Sequence, residues 1–176
     1  MGKTHRTPEG IDEMTQGVLY IHSAPRALTP HIEWAAGGVL GVPARMRWQT
    51  QFVGRGLLRT EMSWRGREDT GAALVSALRG MDDVRFEVTQ EPTAQVAGAR
   101  WSCTPELGVH HAITDHAGNI MLSEDHVRGC LERAGHDPVA LRREMAIALG
   151  EPWDEDLEIY RHAGEGTPMR WLQRVV

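Results

Sequence analysis

Two runs of alternating side chains, separated by a glycine turn, constrain this chain more than any other feature. In Arg45-Met46-Arg47-Trp48-Gln49-Thr50-Gln51-Phe52, Met46, Trp48 and Phe52 fall on one side and Arg45, Arg47, Gln49 and Gln51 on the other. Gly54-Arg55-Gly56 supplies a turn, after which Leu58, Thr60, Met62 and Trp64 alternate with Arg59, Glu61 and Ser63. A period of two on both sides of a turn predicts a β-hairpin with one apolar and one polar face. An isolated hairpin is barely stable in water, so the segments around it decide the fold.

Those segments supply two helices and two more strands. Gly17-Val18-Leu19-Tyr20-Ile21-His22 is a short apolar run that predicts a central strand, ended by Ser23-Ala24-Pro25. Thr29-Pro30 starts a helix in which Ile32, Ala35, Ala36 and Val39 recur at helical spacing, with Trp34 assigned to the core; Gly41 and Pro43 stop it. Thr70 caps a second helix carrying Ala73, Leu74, Ala77 and Leu78, and Val84-Arg85-Phe86-Glu87-Val88-Thr89 alternates as a fourth strand. The order β-α-β-β-α-β defines an α+β fold with a ferredoxin-like core. Its helices cover one sheet face, and the other is expected to lie open, bearing Arg45, Arg47, Arg59, Glu61, Arg85 and Glu87.

Extra C-terminal strands and helices follow this core. Residues 100–103, 107–113 and 120–122 read as strands that extend the sheet or fold over its open face. Ser123 caps a helix ended by Gly135, and Asp137-Pro138 starts another ended by Gly150. Glu151 to Glu158 is an acidic segment, and residues 169–172 read as a docked strand. Residues 1–16 read as a disordered leader and residues 17–176 as a single domain.

With 41% hydrophobic residues, a chain of 176 can bury a core without disulfide or metal support. Its net charge of −5 argues against nucleic acid or an anionic membrane as partner. Cys103 and Cys130 lack CxxC spacing, and no apolar run is long enough for a signal peptide or membrane span, so a cytoplasmic location is expected.

Each chemistry-bearing motif is incomplete. His110 and His111 face opposite sides of a strand, and neither HExxH nor paired CxxC occurs, so no metal site is expected. His31-Ile32-Glu33 resembles the HxE of zinc deaminases but has no PCxxC partner. Ser23 follows the first strand near His22 and His31, without the GxSxG of a nucleophile elbow. GxGxxG and GxxxxGK are both absent, and no cofactor is expected. His22, Ser23, Arg26 and His31 nevertheless surround the start of the first helix, where they form a candidate anion or ligand site at the end of the first strand. Trp48, Trp64 and Phe86 are assigned inward, which leaves no stacking platform for RNA. Arg45, Arg47 and Arg59, with Trp153 and Trp171, are the candidate partner-binding residues.

The run Gly17-Val18-Leu19-Tyr20-Ile21-His22-Ser23-Ala24-Pro25-Arg26-Ala27-Leu28, continuing Pro30-His31-Ile32-Glu33-Trp34-Ala35, resembles the opening of an actinobacterial family of unknown function. The resemblance continues through Gly71-Ala72-Ala73-Leu74, Val84 to Thr89, Ala148-Leu149-Gly150, Trp153-Asp154, Arg161-His162-Ala163 and Trp171-Leu172. It carries over no catalytic residue. Members of that family are often encoded beside type II fatty-acid synthesis genes. The resemblance therefore implies a non-catalytic accessory or regulatory protein that binds acyl carrier protein, ketosynthase or acyl-CoA carboxylase. The alternative is a small-molecule enzyme or ligand-binding domain using the anion site.

Overall fold

The computed structural model describes residues 14–162. They form one mixed sheet-and-helix unit built on a seven-stranded antiparallel sheet of order β2-β3-β1-β4-β5-β6-β7. The strands are β1 (Met14–Pro25), β2 (Gln49–Thr50), β3 (Leu57–Arg67), β4 (Arg85–Gln90), β5 (Gly98–Thr104), β6 (Gly108–Thr114) and β7 (Ile120–Met121). The helices are α1 (Thr29–Leu40), α2 (Thr70–Leu78), α3 (Glu124–Ala134), α4 (Pro138–Leu149) and α5 (Glu151–His162). None is long and apolar enough to cross a membrane.

β1 is central because both of its faces are apolar or fully partnered. It pairs antiparallel with β3 on one side and β4 on the other, as its near-continuous burial predicts. It starts at Met14, so Met14 to Gln16 belong to the sheet rather than to a leader. Leu19, Ile21, Trp64, Phe86, Val88 and Trp101 share the face on which α1 and α2 pack, with Ile32, Ala36, Leu74 and Leu78 opposite them. Two glycines make room for the large rings. A Cβ on Gly17 would stand 1.8 Å from the Thr89 carbonyl oxygen and 2.7 Å from the Trp64 ring; one on Gly71 would stand 2.8 Å from the Trp101 ring.

Residues 99–122 extend the sheet as a meander beyond β4, and His110 and His111 take opposite faces as the pleat requires. Ser123 and Asp137 cap α3 and α4, accepting from the His126 and Val139 amides. Removing the Ser123 hydroxyl in Ser123→Ala is expected to cost about 1 kcal/mol, measured as a lowered denaturant midpoint at unchanged slope. Thr29 and Thr70 do not cap. Leu28 and Asp69 hold the cap positions without side-chain bonds, and the Thr29 hydroxyl donates to the Arg26 carbonyl.

The first alternating run is only partly a strand. Arg45 and Arg47 are exposed and Met46 and Trp48 half-buried, as the alternation predicts, but only Gln49 and Thr50 pair with β3. The pattern then inverts: Gln51 is 0% exposed and Phe52 72% exposed. Gln51 turns inward because its side-chain amide donates to the carbonyls of His22 and Tyr160, at 2.6 and 3.0 Å. Buried backbone acceptors without a ladder partner outweigh the burial of one phenyl ring. Trp34 also departs from expectation: it sits on the outer side of α1, 81% exposed.

Candidate functional site: a buried charge cluster and an arginine-rimmed cleft

The sheet face away from α1 and α2 is not open. The acidic segment from Glu151 onward is the helix α5, and it lies across β1, β4 and β5. Trp153, Leu157, Tyr160 and Arg161 recur at helical spacing and make its inner stripe. Leu157 is fully buried, the Trp153 indole N–H donates to the Gly108 carbonyl, and the Tyr160 ring lies under the Arg85 guanidinium at 4.7 Å. Arg85, expected in solvent, is bound to Asp156 and Glu106.

On this face a row of side chains crosses the sheet in register: Glu61 on β3, Tyr20 on β1, Glu87 on β4, Ser102 on β5 and His110 on β6. Glu87, also expected in solvent, is the centre of this row and only 1% exposed. One carboxylate oxygen accepts from Ser102 at 3.1 Å, Arg100 at 2.6 Å and Arg161 at 2.8 Å; the other accepts from His22 at 2.6 Å and Arg161 at 3.2 Å. Asp154 bridges the two arginines from the helix side. The ionic core thus sets Glu87 and Asp154 against Arg100 and Arg161, with His22 as an additional donor.

Burial alone would push the Glu87 carboxyl upward. The His22 hydrogen bond and charge, together with Arg100 and Arg161, outweigh it and hold the carboxyl well below the usual range. Tyr20 moves the other way, up to about 12, through burial and the carboxylates Glu61 and Glu87. Burial pushes the Cys103 thiol up to about 11, which keeps it protonated and inert.

His22 reaches Glu87 because β1 is irregular there. Relative to β4, the register shifts between Ile21 and Ser23, and relative to β3 between Ile21 and Ala24. This bulge releases the His22 carbonyl to Gln51. Beside it opens a cleft of about 210 Å³ between β1, β3 and the 47–49 segment, lined by Tyr20, His22, Arg47, Gln49, Arg59 and Glu61. Arg100 and Arg161 are clamped by carboxylates, whereas Arg45, Arg47 and Arg59 make no ion pair among the described residues.

The residues singled out in the sequence separate accordingly. His22 and Ser23 are buried within β1, while Arg26 and His31 are exposed outside it. Of that group only His22 lines the cleft, where it joins Arg47 and Arg59. Trp153 is committed to docking α5, its ring 4.9 Å from that of His110. Trp171 and the expected strand at 169–172 lie outside the described residues. Sequence reasoning gives the cluster members Arg100, Asp154 and Arg161 no site role, although the stripe at 153, 157, 160 and 161 is a legible helical signal. Among the described residues, no group of three or more His, Cys, Asp or Glu could hold a metal ion.

A family model described as "Protein of unknown function (DUF3145)" matches residues 18–174. No curated protein and no solved structure matches.

Proposed function

Since the chain belongs to the DUF3145 family, described as proteins of unknown function, we propose from its geometry that it is a non-catalytic binding protein that docks an acidic partner. The observation that carries this reading is the unpaired arginine edge. Arg45, Arg47 and Arg59 stand together at the β2–β3 side of the sheet with no carboxylate partner among the described residues, in a chain of net charge −5. A local positive edge on an acidic protein selects and orients a negatively charged partner.

Among the fatty-acid synthesis proteins named above, acyl carrier protein fits best, being small and acidic. The β2-β3-β1-β4 part of the sheet, with α1 and α2 on one face, reads as a ferredoxin-like core that presents this edge. The β5–β7 meander with α3 to α5 reads as an addition that closes the other end of the face. The wholly buried position of Ser23 and the separation of Arg26 and His31 from it favour binding over nucleophilic catalysis.

Immobilised acyl carrier protein at low ionic strength is expected to retain the protein. The affinity should fall with added salt and drop at least about tenfold in Arg47→Glu and Arg59→Glu, since each reversal replaces attraction by repulsion. Arg142→Glu, on the exposed side of α4, should leave retention unchanged. Equal retention of all variants would reject the edge as the docking surface.

A further inference from the structure

A docking rim needs only exposed charge, yet the cleft beside Arg47 and Arg59 also has a built floor. Tyr20 and His22 line it, and they are 6% and 1% exposed. Their rings are stacked with centroids 6.1 Å apart and planes within 6° of parallel, and His22 is fixed from behind by Glu87. The floor therefore cannot collapse into the space above it, as a loose surface groove would. At about 210 Å³ the cleft lies below the roughly 300–1,000 Å³ of sites that enclose drug-sized ligands. It has room for a small molecule or one end of a larger one.

The lining chemistry selects the guest. Arg59 stands on β3 opposite the β1 bulge, and Arg47 approaches from the neighbouring segment, held there by its carbonyl accepting from the Thr60 hydroxyl at 3.0 Å. Two guanidiniums line one cleft without a carboxylate partner among the described residues, and their planar forks match phosphate and carboxylate oxygens. Glu61, across the pair from Tyr20, is the one carboxylate in the lining and opposes a second negative charge.

We propose that this cleft is a binding site for the phosphate or carboxylate group of a small polar molecule. Arg47 and Arg59 grip the oxyanion, Tyr20 and His22 form the rigid floor, and Glu61 limits the guest to one anionic group at this end. The site shares Arg47 and Arg59 with the docking edge, whereas Arg45 belongs to that edge and does not line the cleft, so an Arg45 variant separates the two readings.

The test is a backbone-amide NMR titration of the full chain with inorganic phosphate and, separately, with acetate and succinate, at ionic strength held constant with sodium chloride. Saturable shifts are expected around Tyr20, His22, Arg47 and Arg59. Saturation by phosphate alone assigns a phosphoryl guest, and by acetate alone a carboxylate guest. Succinate binding more tightly than acetate would overturn the role given to Glu61. Arg59→Gln should weaken binding about tenfold, the loss of one charge-assisted hydrogen bond. Glu61→Gln should tighten it, and Arg45→Glu should leave it within about twofold if the anion is held by local hydrogen bonds rather than by the general field. These opposite signs would not arise from damage to the fold. Failure of every anion to saturate, or an Arg59→Gln protein that binds as wild type, overturns the proposal without touching the docking of a protein at Arg45.

Discussion

Glu87→Gln is expected to lower the unfolding free energy by about 3–5 kcal/mol, the cost of leaving buried charge without its counterion. The substitution keeps the shape and removes the charge. Arg100 and Arg161 then lose the buried carboxylate between them and keep only the partly exposed Asp154 and, for Arg161, the more distant Glu158, while Arg161 itself is buried. The side-chain amide also turns a donor toward groups that already donate. Urea unfolding followed by circular dichroism measures the loss. A loss under about 1 kcal/mol would mean that α5 is held by Leu157 and Trp153 rather than by the cluster.

The acid limb of stability follows from the same carboxyl. Its folded pKa is depressed below the ordinary 4.5. Its contribution is therefore fully present above about pH 4.5, the unfolded value, and disappears as pH falls toward the lower folded value. The wild-type protein should lose this portion of its stability on acidification below pH 4.5. The Gln variant, already without it, should show a shallower acid slope. Parallel slopes would contradict the assignment.

Phe86→Ala is expected to cost about 3–5 kcal/mol, whereas Phe52→Ala should change stability by no more than about 0.5 kcal/mol. These are the two phenylalanines of the chain, and the period-two pattern assigns both inward. Phe86 is 0% exposed, on β4 between Ile21 of β1 and Cys103 of β5, with the helix layer above. Strands hydrogen-bonded on both sides cannot close over the void, so the cavity persists and its cost is near the upper end for aromatic truncation. Phe52 is in a loop. Comparable losses for the two variants would show that Phe52 is covered in solution.

The contrast between these residues marks how far local pattern reaches. Alternation located β3 and β4, helical spacing located α1 and α2, and the Ser123 and Asp137 caps with Gly135 and Gly150 bounded α3 and α4. These signals work because they express the geometry of one element against one apolar environment. They fail where a side chain answers to something distant. Gln51 is drawn in by the carbonyls of His22 and Tyr160, and Trp34 is left on the outside of a helix whose inner stripe is already filled by Ile32 and Ala36. The charged residues of α5 hid its apolar stripe, because Glu151, Asp154, Glu155, Asp156 and Glu158 dominate the segment by number.

The candidate site divides in the same way. The polar side of the first hairpin, and with it Arg47 and Arg59, could be read from the amino-acid order, since a strand pleat alone sends them to one face. That Glu87 is a buried counterion rather than a surface carboxylate could not. Arg161 reaches it across 74 positions and Arg100 across 13, and no local period encodes which charges meet. Element type and facing came from short-range sterics and hydrophobic pattern. The closed face, the bulge at His22 and the cleft beside it came from long-range closure, where satisfying buried polar groups settled the partners.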